Sequence, residues 1–425
     1  MTERIAIVAG LRTPFCKAGG VFEQLESHDL AAIVIRELLE RSPINAKEID
    51  EVILGNVIQN TGNPARVAAV KGGLPVSCPA FTVNRNCASG MEAVVTAANQ
   101  IALGKSKIIL AGGMESMSHF SITFPESMKK FLSSLSKAKS FLKKLKVLFS
   151  FRPSMLKPVI PQMEDPICNL IMGQTAEIIS RELRVTRIEQ DEFALLSQQR
   201  SVAAIKRGRF AEEIVPVPLP PKYDKMQLND DGPRENQTLE ILGKLRPVFD
   251  PLAGQVTAGN SSQVTDGAVC LLLMSEEEAK KRKLEILGTI VATASVGLDP
   301  SRMGLGPIFA VSKVLKESNL TLEDIDLLEI NEAFAAQIVT LEKAFQSAEF
   351  CKKELGLDKP LGKIDREKLN VNGGAVSLGH PVGASGARII LTLLLELKHR
   401  KKKRGLATLC VGGGQGEAVI VEAAL

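Results

Sequence analysis

The sequence has one tyrosine and no tryptophan among 425 residues, so it lacks the aromatic side chains on which nucleobases stack. Its seven cysteines are scattered without a CxxC pair. Disulfide bonds and a zinc site are therefore not predicted, and a reducing cytoplasm is favoured.

No apolar run reaches the ~18 residues of a membrane-spanning helix. The short apolar run near the start predicts a buried strand rather than a secretory leader.

Acidic residues are missing from one stretch of the chain. Residues 127–163 hold nine Lys or Arg and no Asp or Glu, whereas the rest of the chain holds 44 basic and 48 acidic residues. Outside this stretch the protein is slightly acidic, although the net charge of the whole chain is +5, and its composition does not favour nucleic acid as a ligand.

Over 127–151, apolar residues recur at helical spacing and form a stripe, and the lysines lie largely off that stripe. This predicts a basic amphipathic helix that lies on an anionic membrane, docks on a partner or packs on its own domain.

Strand-like and helix-like segments alternate, and 45% of the residues are hydrophobic, which is typical of an α/β protein with a large core. A polar helix is predicted near 174–206. The predicted strands are Ile5–Val8, Glu51–Leu54, Lys107–Ala111, Ala268–Met274, Thr289–Ala294, Asp326–Ile330 and Leu406–Val411.

Several segments recur in the same order in two parts of the chain. The matching pairs are 44–57 with 320–333, 87–94 with 383–390, and 107–113 with 406–413. We interpret this pattern as two similar halves, and ordinary α/β likeness is the alternative. The predicted domains are a first half over 1–119 that is completed by about 250–277, an insertion over 120–249, and a second half over 278–425.

Cys87 stands at the start of a predicted helix that ends near Gly104. Unpaired N–H groups at a helix N-terminus favour a thiolate, which would make this cysteine a nucleophile. The alternative is a small buried side chain. Other polar or reactive groups also lie in unusual settings: His380 in a glycine-rich turn, Cys410 before a glycine run, and Asn331 where a strand ends.

A series of motifs, in order along nearly the whole chain, resembles the thiolase family. They are RTPF (12–15), NRNCASGMEAV (84–94), AGGMESMS (111–118), TAGNSSQVTDGA (257–268), NEAFAAQ (331–337), NVNGGAVSLGHPVGASGAR (370–388) and CVGGGQGEA (410–418). The resemblance implies two duplicated α/β halves stacked as five alternating helix and sheet layers (αβαβα), with a loop domain inserted in the first half. It also implies an acyltransferase that uses CoA as a co-substrate, without a metal or a permanently bound cofactor.

The resemblance also assigns catalytic roles to individual residues. Cys87 is the nucleophile that carries the acyl group, and His380 takes its proton. Cys410 protonates the enolate of acetyl-CoA, or deprotonates acetyl-CoA in the condensing direction. The enolate oxygen is expected to meet His380 and a water held by Asn331. The oxyanion of the Cys87 adduct is expected to meet the N–H groups of Cys87 and Gly412.

The residues that would bind CoA are carried over in part. The matching positions are Ser262 at the pantetheine, Ala258, Ala333, Phe334 and Met172 along its wall, and Arg234 over the adenine. Ile171 stands where many short-chain thiolases have a histidine. This departure and the basic insertion favour a 3-ketoacyl-CoA thiolase of fatty-acid oxidation, similar to the β subunit of a trifunctional complex.

The alternative within the family is an acetyl-CoA acetyltransferase that makes or cleaves acetoacetyl-CoA. Outside it, a β-ketoacyl synthase pairs its cysteine with two histidines, or with histidine and asparagine, whereas Cys410 takes that place here. A non-catalytic lipid-binding relative should lack Cys87, His380 or Cys410, all of which are present. The expected partners are CoA and acyl-CoA, a second copy in a homodimer or dimer of dimers, and a hydratase–dehydrogenase α subunit or an anionic membrane near 127–151.

Overall fold

The computed structural model describes residues 4–58, 61–120, 124–157 and 164–424, so the predicted outer limits at 1 and 425 lie outside the described residues. The strands are β1 Ile5–Arg12, β2 Cys16–Lys17, β3 Glu51–Gly55, β4 Ala80–Val83, β5 Ile108–Glu115, β6 Glu164–Asp165, β7 Leu170–Ile171, β8 Val217–Pro218, β9 Met226–Gln227, β10 Thr265–Ser275, β11 Gly288–Gly297, β12 Leu327–Ile330, β13 Arg404–Val411 and β14 Gln415–Ala423. The helices are α1 Ser27–Arg41, α2 Pro64–Lys71, α3 Ser89–Ala102, α4 Glu126–Lys137, α5 Phe141–Leu148, α6 Met172–Glu182, α7 Arg187–Lys206, α8 Leu239–Gly243, α9 Glu276–Lys281, α10 Gly306–Ser318, α11 Ala335–Gln346, α12 Ala348–Leu355, α13 Ala375–Leu378 and α14 Val382–Arg400.

One large sheet has the strand order β12-β13-β14-β11-β1-β10-β5-β3-β4, with β2 paired to β10. In one half β3 and β5 are parallel, and β5, β10 and β1 then pair antiparallel. In the other half β12 and β13 are parallel, and β13, β14 and β11 then pair antiparallel. The halves join where residues 5–7 of β1 pair with residues 288–290 of β11. The same order and direction occur twice, so the duplication inferred from the sequence is confirmed.

The two halves of the sheet form two layers with helices between them, and further helices cover the outer face of each half. This arrangement gives the five expected layers. Helices α3 and α14 form the central layer and pack against inner-face residues of both halves, such as Leu271 of β10 and Leu409 of β13. Leu272, next along β10, faces outward into the core formed with α1 and α2. Leu406 of β13 faces the outer core formed with α10 and α11. A strand covered on both faces needs apolar residues at successive positions, which explains the continuous apolar runs in the sequence.

The central helices cross at two glycines that the internal repeat makes equivalent. A Cβ at Gly90 would lie 2.8 Å from the Gly383 carbonyl oxygen, and a Cβ at Gly386 would lie 2.4 Å from the Met91 amide nitrogen. Both neighbours are backbone atoms in a closely packed interior, so neither moves aside at low cost. This close crossing brings the first turns of α3 and α14 together, one from each half.

The insertion lies outside the large sheet and carries α4 to α8 with two short two-stranded sheets. The polar helix predicted near 174–206 is two helices, α6 and α7, because Arg184 adopts a φ of 53° and ends α6. The boundaries predicted for the insertion, 120 and 249, stay a prediction.

The single amphipathic helix predicted over 127–151 is wrong, because the structure has two shorter helices there, α4 and α5. The backbone is extended at Ala138, and Ser140 caps the start of α5 by accepting a hydrogen bond from a backbone N–H. We call residues 127–151 the basic hairpin. Met128 and Phe131 of α4 are buried, and the Phe131 ring packs against Phe151 with centroids 5.5 Å apart, whereas α5 has no buried residue. Among the described residues, no helix is long and apolar enough to cross a membrane.

Candidate active site

Cys87 lies in the turn between β4 and α3, two residues before the helix begins at Ser89. Asn86 has a φ of 45°, in the left-handed region that asparagine adopts more readily than most residues. The Ser89 hydroxyl donates to the Asn86 carbonyl (2.7 Å) and accepts from the Arg85 N–H (2.8 Å). Asn86 Nδ2 also donates to the Gly412 carbonyl (2.8 Å), which ties this turn to the turn between β13 and β14.

The Cys87 thiol is half-buried, and desolvation raises its pKa. The N–H groups of Gly412 and of Cys87 itself favour the thiolate, while the Glu115 carboxyl opposes it. The predicted backbone stabilisation of the thiolate is therefore present, but it is smaller than the desolvation penalty. At neutral pH the thiol keeps its proton, so its use as a nucleophile requires a base.

His380 occupies the turn just before α14 and is buried. Its Nδ1–H donates to Ser385 Oγ (2.6 Å), because the Ser385 hydroxyl itself donates to the Pro381 carbonyl (3.0 Å). Nε2 is therefore unprotonated, and it lies 3.5 Å from Asn331 Nδ2. Burial, assisted by the charge of Arg388, lowers the pKa of His380 to about 4. The imidazole is neutral at physiological pH, and the Nε2 lone pair accepts only a long hydrogen bond from Asn331 Nδ2.

Asn331 and Glu332 follow β12 directly, as polar residues at the carboxyl end of a strand. The Asn331 N–H donates to the Thr408 carbonyl (3.0 Å), whereas its buried Oδ1 has no hydrogen-bond partner among the described residues. Such an atom destabilises a protein unless a water or a ligand occupies the space beside it. Glu332 accepts from Ser197 Oγ (2.6 Å) and Asn370 Nδ2 (2.8 Å), so it joins the end of β12 to the insertion.

Cys410 lies near the end of β13 and is fully buried. Desolvation raises the pKa of its thiol, and the neighbouring Cys87 raises it further. Two residues later, a Cβ at Gly412 would stand 3.4 Å from Met172 Sδ and 3.7 Å from Asn86 Nδ2. The two thiols therefore share one site, with one half-buried and the other fully buried.

Glu115, at the end of β5, holds the loops around this site, although no sequence argument assigned it a role. Its carboxylate accepts from Asn56 Nδ2 (2.6 Å) and from the Gly383 N–H at the start of α14 (2.9 Å). It also accepts from the N–H groups of Val57 and Ile58, both at 3.0 Å. Burial raises the pKa of Glu115 to about 7. The available signal was an acidic residue at the carboxyl end of a buried strand.

Most of the residues predicted to bind CoA line one wall beside the thiols. The Ser262 N–H donates to the Ala333 carbonyl (2.9 Å), and Phe334 packs edge-on against Phe249 with ring centroids 5.9 Å apart. The apolar cluster that contains Cys410 also contains Ala333, Phe334 and Met172.

Arg234 and Ala258 are exposed, unlike the residues of that wall. Arg234 borders a cavity of about 260 Å³ against α7. Its N–H donates to Gln198 Oε1 (2.8 Å), which also accepts from Ser377 Oγ (3.1 Å) in the segment that leads to His380. The structure therefore connects the Arg234 surface to the turn that carries His380 through Gln198.

Comparison with known proteins identifies the family of the chain. The thiolase N-terminal domain model matches residues 5–277, and the thiolase C-terminal domain model matches residues 284–423. A protein named probable acetyl-CoA acyltransferase from Staphylococcus aureus is 41% identical, over 98% of both chains. The protein of the same name from Staphylococcus epidermidis is 40% identical, over 99% of this chain and 98% of its own.

Solved structures agree over the full length. The Bacillus anthracis acetyl-CoA acetyltransferase has a TM-score of 0.85 and 39% identity, and covers 100% of this chain and 99% of its own. Human mitochondrial 3-ketoacyl-CoA thiolase in complex with CoA has a TM-score of 0.83 and 34% identity, with the same coverage. The chain therefore belongs to the thiolase family and is an acyltransferase.

Proposed function

We propose that this enzyme uses CoA to cleave 3-ketoacyl-CoA into acetyl-CoA and an acyl-CoA shortened by the acetyl unit. The observation that supports this most is the pair of neighbouring thiols, Cys87 and Cys410, in one site with a neutral His380. Breaking a carbon–carbon bond beside a ketone needs a nucleophile for the keto carbon and a proton donor for the enolate that leaves. Two thiols in different environments provide one group for each task.

In the first half-reaction, Cys87 Sγ bonds to the keto carbon while His380 Nε2 takes the thiol proton. The bond between C2 and C3 then breaks, and its electron pair forms the enolate of acetyl-CoA. Cys410 gives its proton to C2, which releases acetyl-CoA and leaves a Cys410 thiolate beside the acyl group on Cys87. In the second half-reaction, CoA attacks the acyl group and gives its thiol proton to Cys410, while His380 returns a proton to the departing Cys87.

Each step develops negative charge on an oxygen, and we assign two hydrogen-bond donors to each oxygen. The N–H groups of Cys87 and Gly412, which face the Cys87 sulfur, would bind the oxyanion of the tetrahedral adduct. His380, once protonated by Cys87, would donate to the enolate oxygen. A water bound to Asn331, whose Oδ1 has no hydrogen-bond partner among the described residues, would be the second donor.

CoA is proposed to enter as a co-substrate along the wall beside Cys410, and the human relative was solved in complex with CoA. Ser262 would meet the pantetheine, and Arg234, beside its cavity on α7, would cover the adenine. The residues of that wall are Ala333, Phe334 and Met172, and the exposed Ala258 is also proposed to contact CoA. We place the activity in the cytoplasm, in a homodimer or a dimer of dimers.

For substrate length, we propose degradation of medium and long 3-ketoacyl chains, and the alternative is acetoacetyl-CoA as the main substrate. Ile171, half-buried directly before Met172, presents an apolar side chain where a histidine would favour a short polar substrate. We expect kcat/KM to rise at least about tenfold from acetoacetyl-CoA to 3-ketohexadecanoyl-CoA, because each buried methylene contributes roughly 0.8 kcal/mol. Steady-state rates across a series of chain lengths measure this ratio.

Ile171→His is the matched variant for that series and should lower the ratio of long-chain to short-chain kcat/KM. A wild-type enzyme that prefers acetoacetyl-CoA would support the acetyltransferase alternative instead.

Alkylation should distinguish Cys87 from the other cysteines. Cys87 and Cys168 are half-buried and the others are buried, so these two are the competing targets. We expect iodoacetamide near neutral pH to modify Cys87 first, with loss of activity in step, because His380 can take its proton. Peptide mass spectrometry at increasing times measures the order. In Cys168→Ser the rate of inactivation should not change, and inactivation that follows Cys168 instead would contradict the assignment.

The basic hairpin is proposed to lie on an anionic membrane surface. Phe141 and Phe149 are 77% and 83% exposed at the two ends of α5, with Lys143, Lys144 and Lys146 between them. Exposed aromatic residues beside cations are typical of helices that lie in the interface of a membrane, where each lysine contributes roughly 1 kcal/mol. A hydratase–dehydrogenase α subunit is the second partner that this surface could meet.

We expect the protein to sediment with vesicles that contain phosphatidylserine at low salt, to be released at high salt, and to lose binding when Lys143, Lys144 and Lys146 are replaced by Glu. Lys143→Glu and Lys144→Glu put acidic side chains near the N-terminus of α5, where they are favourable, whereas Lys146→Glu removes a favourable cation from its last turn. Replacing three exposed lysines elsewhere with Glu is the control: Lys352, Lys353 and Lys359. Copurification with the α subunit tests the second partner, and no binding in either assay would mean that the hairpin only packs on its own domain.

A further inference from the structure

The fold and the proposed mechanism do not explain why the amide of Gln337 is buried. It lies in the first turn of α11 and is 1% exposed, and neither its amide nitrogen nor its amide oxygen has a hydrogen-bond partner of good geometry among the described residues. A buried amide left in this state costs roughly 1–3 kcal/mol. Such a group calls for an explanation, such as a reacting atom, a ligand or a bound water beside it.

The side chain runs toward the second thiol of the active site. Its methylene groups pass Gly304, where a Cβ would lie 3.4 Å from Gln337 Cγ. Ala336 and Met303, the residues just before these two, pack with Cys410 in one apolar cluster. The Gln337 amide is close enough to Cys410 to lower the pKa of its thiol, against the larger opposing effect of desolvation. Both amide atoms lack other partners, so the amide can align as charge develops on the sulfur.

Resting on the proposed role of Cys410, we propose that Gln337 is a further catalytic residue, whose Nε2–H donates to the Cys410 sulfur as the thiolate forms. In cleavage, the proton of Cys410 moves to C2 of the enolate and the sulfur keeps the electron pair. In condensation, the same sulfur removes a proton from the methyl group of acetyl-CoA. In both directions a thiolate forms at the fully buried Cys410 sulfur, and its own backbone N–H is its other donor.

A neutral amide suits this task better than a cation. It stabilises the thiolate by a hydrogen bond without neutralising the charge, so the sulfur stays basic enough to remove a proton from carbon. It also leaves Cys87, the neighbouring thiol, without an added positive charge that would alter its own reaction.

The test separates the two thiols by their half-reactions. In Gln337→Met, a change that keeps the volume and removes the donor, exchange of the acetyl-CoA methyl protons with D₂O should slow by about 10²-fold, as for loss of one donor to a buried anion. Acylation of Cys87 by a simple acyl-CoA should slow by no more than about tenfold, since Cys410 only protonates the departing CoA thiolate in that step and the thiolate is already a good leaving group. The pH at which exchange becomes fast should rise by about one unit, because the thiolate loses a donor.

Gln337→Glu has the same shape and should slow exchange further, because an ionised carboxylate repels the thiolate. Thr340→Val, one turn along α11, is the control for disturbance of the helix, since its hydroxyl donates only to the Ala336 carbonyl (2.6 Å). Exchange at the wild-type rate and pH in either Gln337 variant would overturn the inference. If Cys410→Ser itself kept full exchange, the proposed function of Cys410 would fail first, which is a different outcome.

Discussion

Cys410→Ser is expected to reduce thiolysis of 3-ketoacyl-CoA by about 10²- to 10⁴-fold, the usual contribution of a positioned acid or base. Acylation of Cys87 by a simple acyl-CoA should slow by no more than about tenfold, since Cys87 and His380 carry out the attack and Cys410 only protonates the CoA thiolate that leaves. A serine hydroxyl holds its proton more tightly than a thiol, so it cannot return a proton to the enolate at a useful rate. Steady-state thiolysis and intact-protein mass spectrometry measure the two quantities separately.

Cys168→Ser is the control for this experiment, because Cys168 is half-buried and has no place in the proposed mechanism. It should leave both half-reactions unchanged. If Cys410→Ser abolished acylation as completely as Cys87→Ser, the division of roles between the two thiols would be wrong.

His380→Asn should slow the acylation of Cys87 by about 10²- to 10⁴-fold, because it removes the base that takes the thiol proton. The raised pKa of Cys87 makes this requirement strict, since the thiol does not ionise by itself at neutral pH. Ser385→Ala keeps the imidazole and removes only the acceptor that fixes its tautomer, so a smaller loss is expected. Single-turnover acylation followed by rapid quenching measures both effects.

The pH dependence of acylation gives the same claim a second test. The pKa of His380 is lowered to about 4, so its base form is present above that pH and is lost only as the pH falls through that value. The acid limb of the acylation rate should therefore lie near pH 4 rather than near the ordinary histidine value of about 6.5. An acid limb near the ordinary value would mean that His380 is not the base in a buried, neutral state.

Much of the large sheet could be predicted because its strands are covered on both faces and form continuous apolar runs. Residues 415–423 were not predicted as a strand, because glycine and polar residues open that segment and mask its apolar end. Residues 80–83 were not predicted either, because a short strand with half-buried residues carries little signal. The repeat located both central helices, since each preserves the glycine at which they cross.

The positions at which helices begin and end could be predicted less well from the sequence. The stripe of apolar residues over 127–151 continues in the sequence across a break, which the extended backbone at Ala138 and the cap at Ser140 produce. The break at Arg184 depends on a left-handed residue that no glycine or asparagine marks. In both segments the spacing of apolar residues correctly indicated helical structure, but it did not show whether one helix or two would form.

The catalytic candidates were found through motifs, but the groups that hold them were not. The carboxylates of Glu115 and Glu332 bind backbone and side-chain donors far away in the sequence, and such contacts leave no local pattern. Buried Arg12 is similar, since it meets Asp230 and Glu213 about two hundred residues later. The pKa shifts of Cys87 and His380 also depend on burial by remote segments, so their directions required the structure.

The most direct test of the two-thiol mechanism is to mix the wild-type enzyme with a 3-ketoacyl-CoA in the absence of free CoA, quench with acid and map the peptides by mass spectrometry. The mechanism predicts an acyl group on Cys87, with one acetyl-CoA released for each acyl group bound. An acyl group on Cys410, or release of acetyl-CoA with no covalent acyl-enzyme, would contradict it.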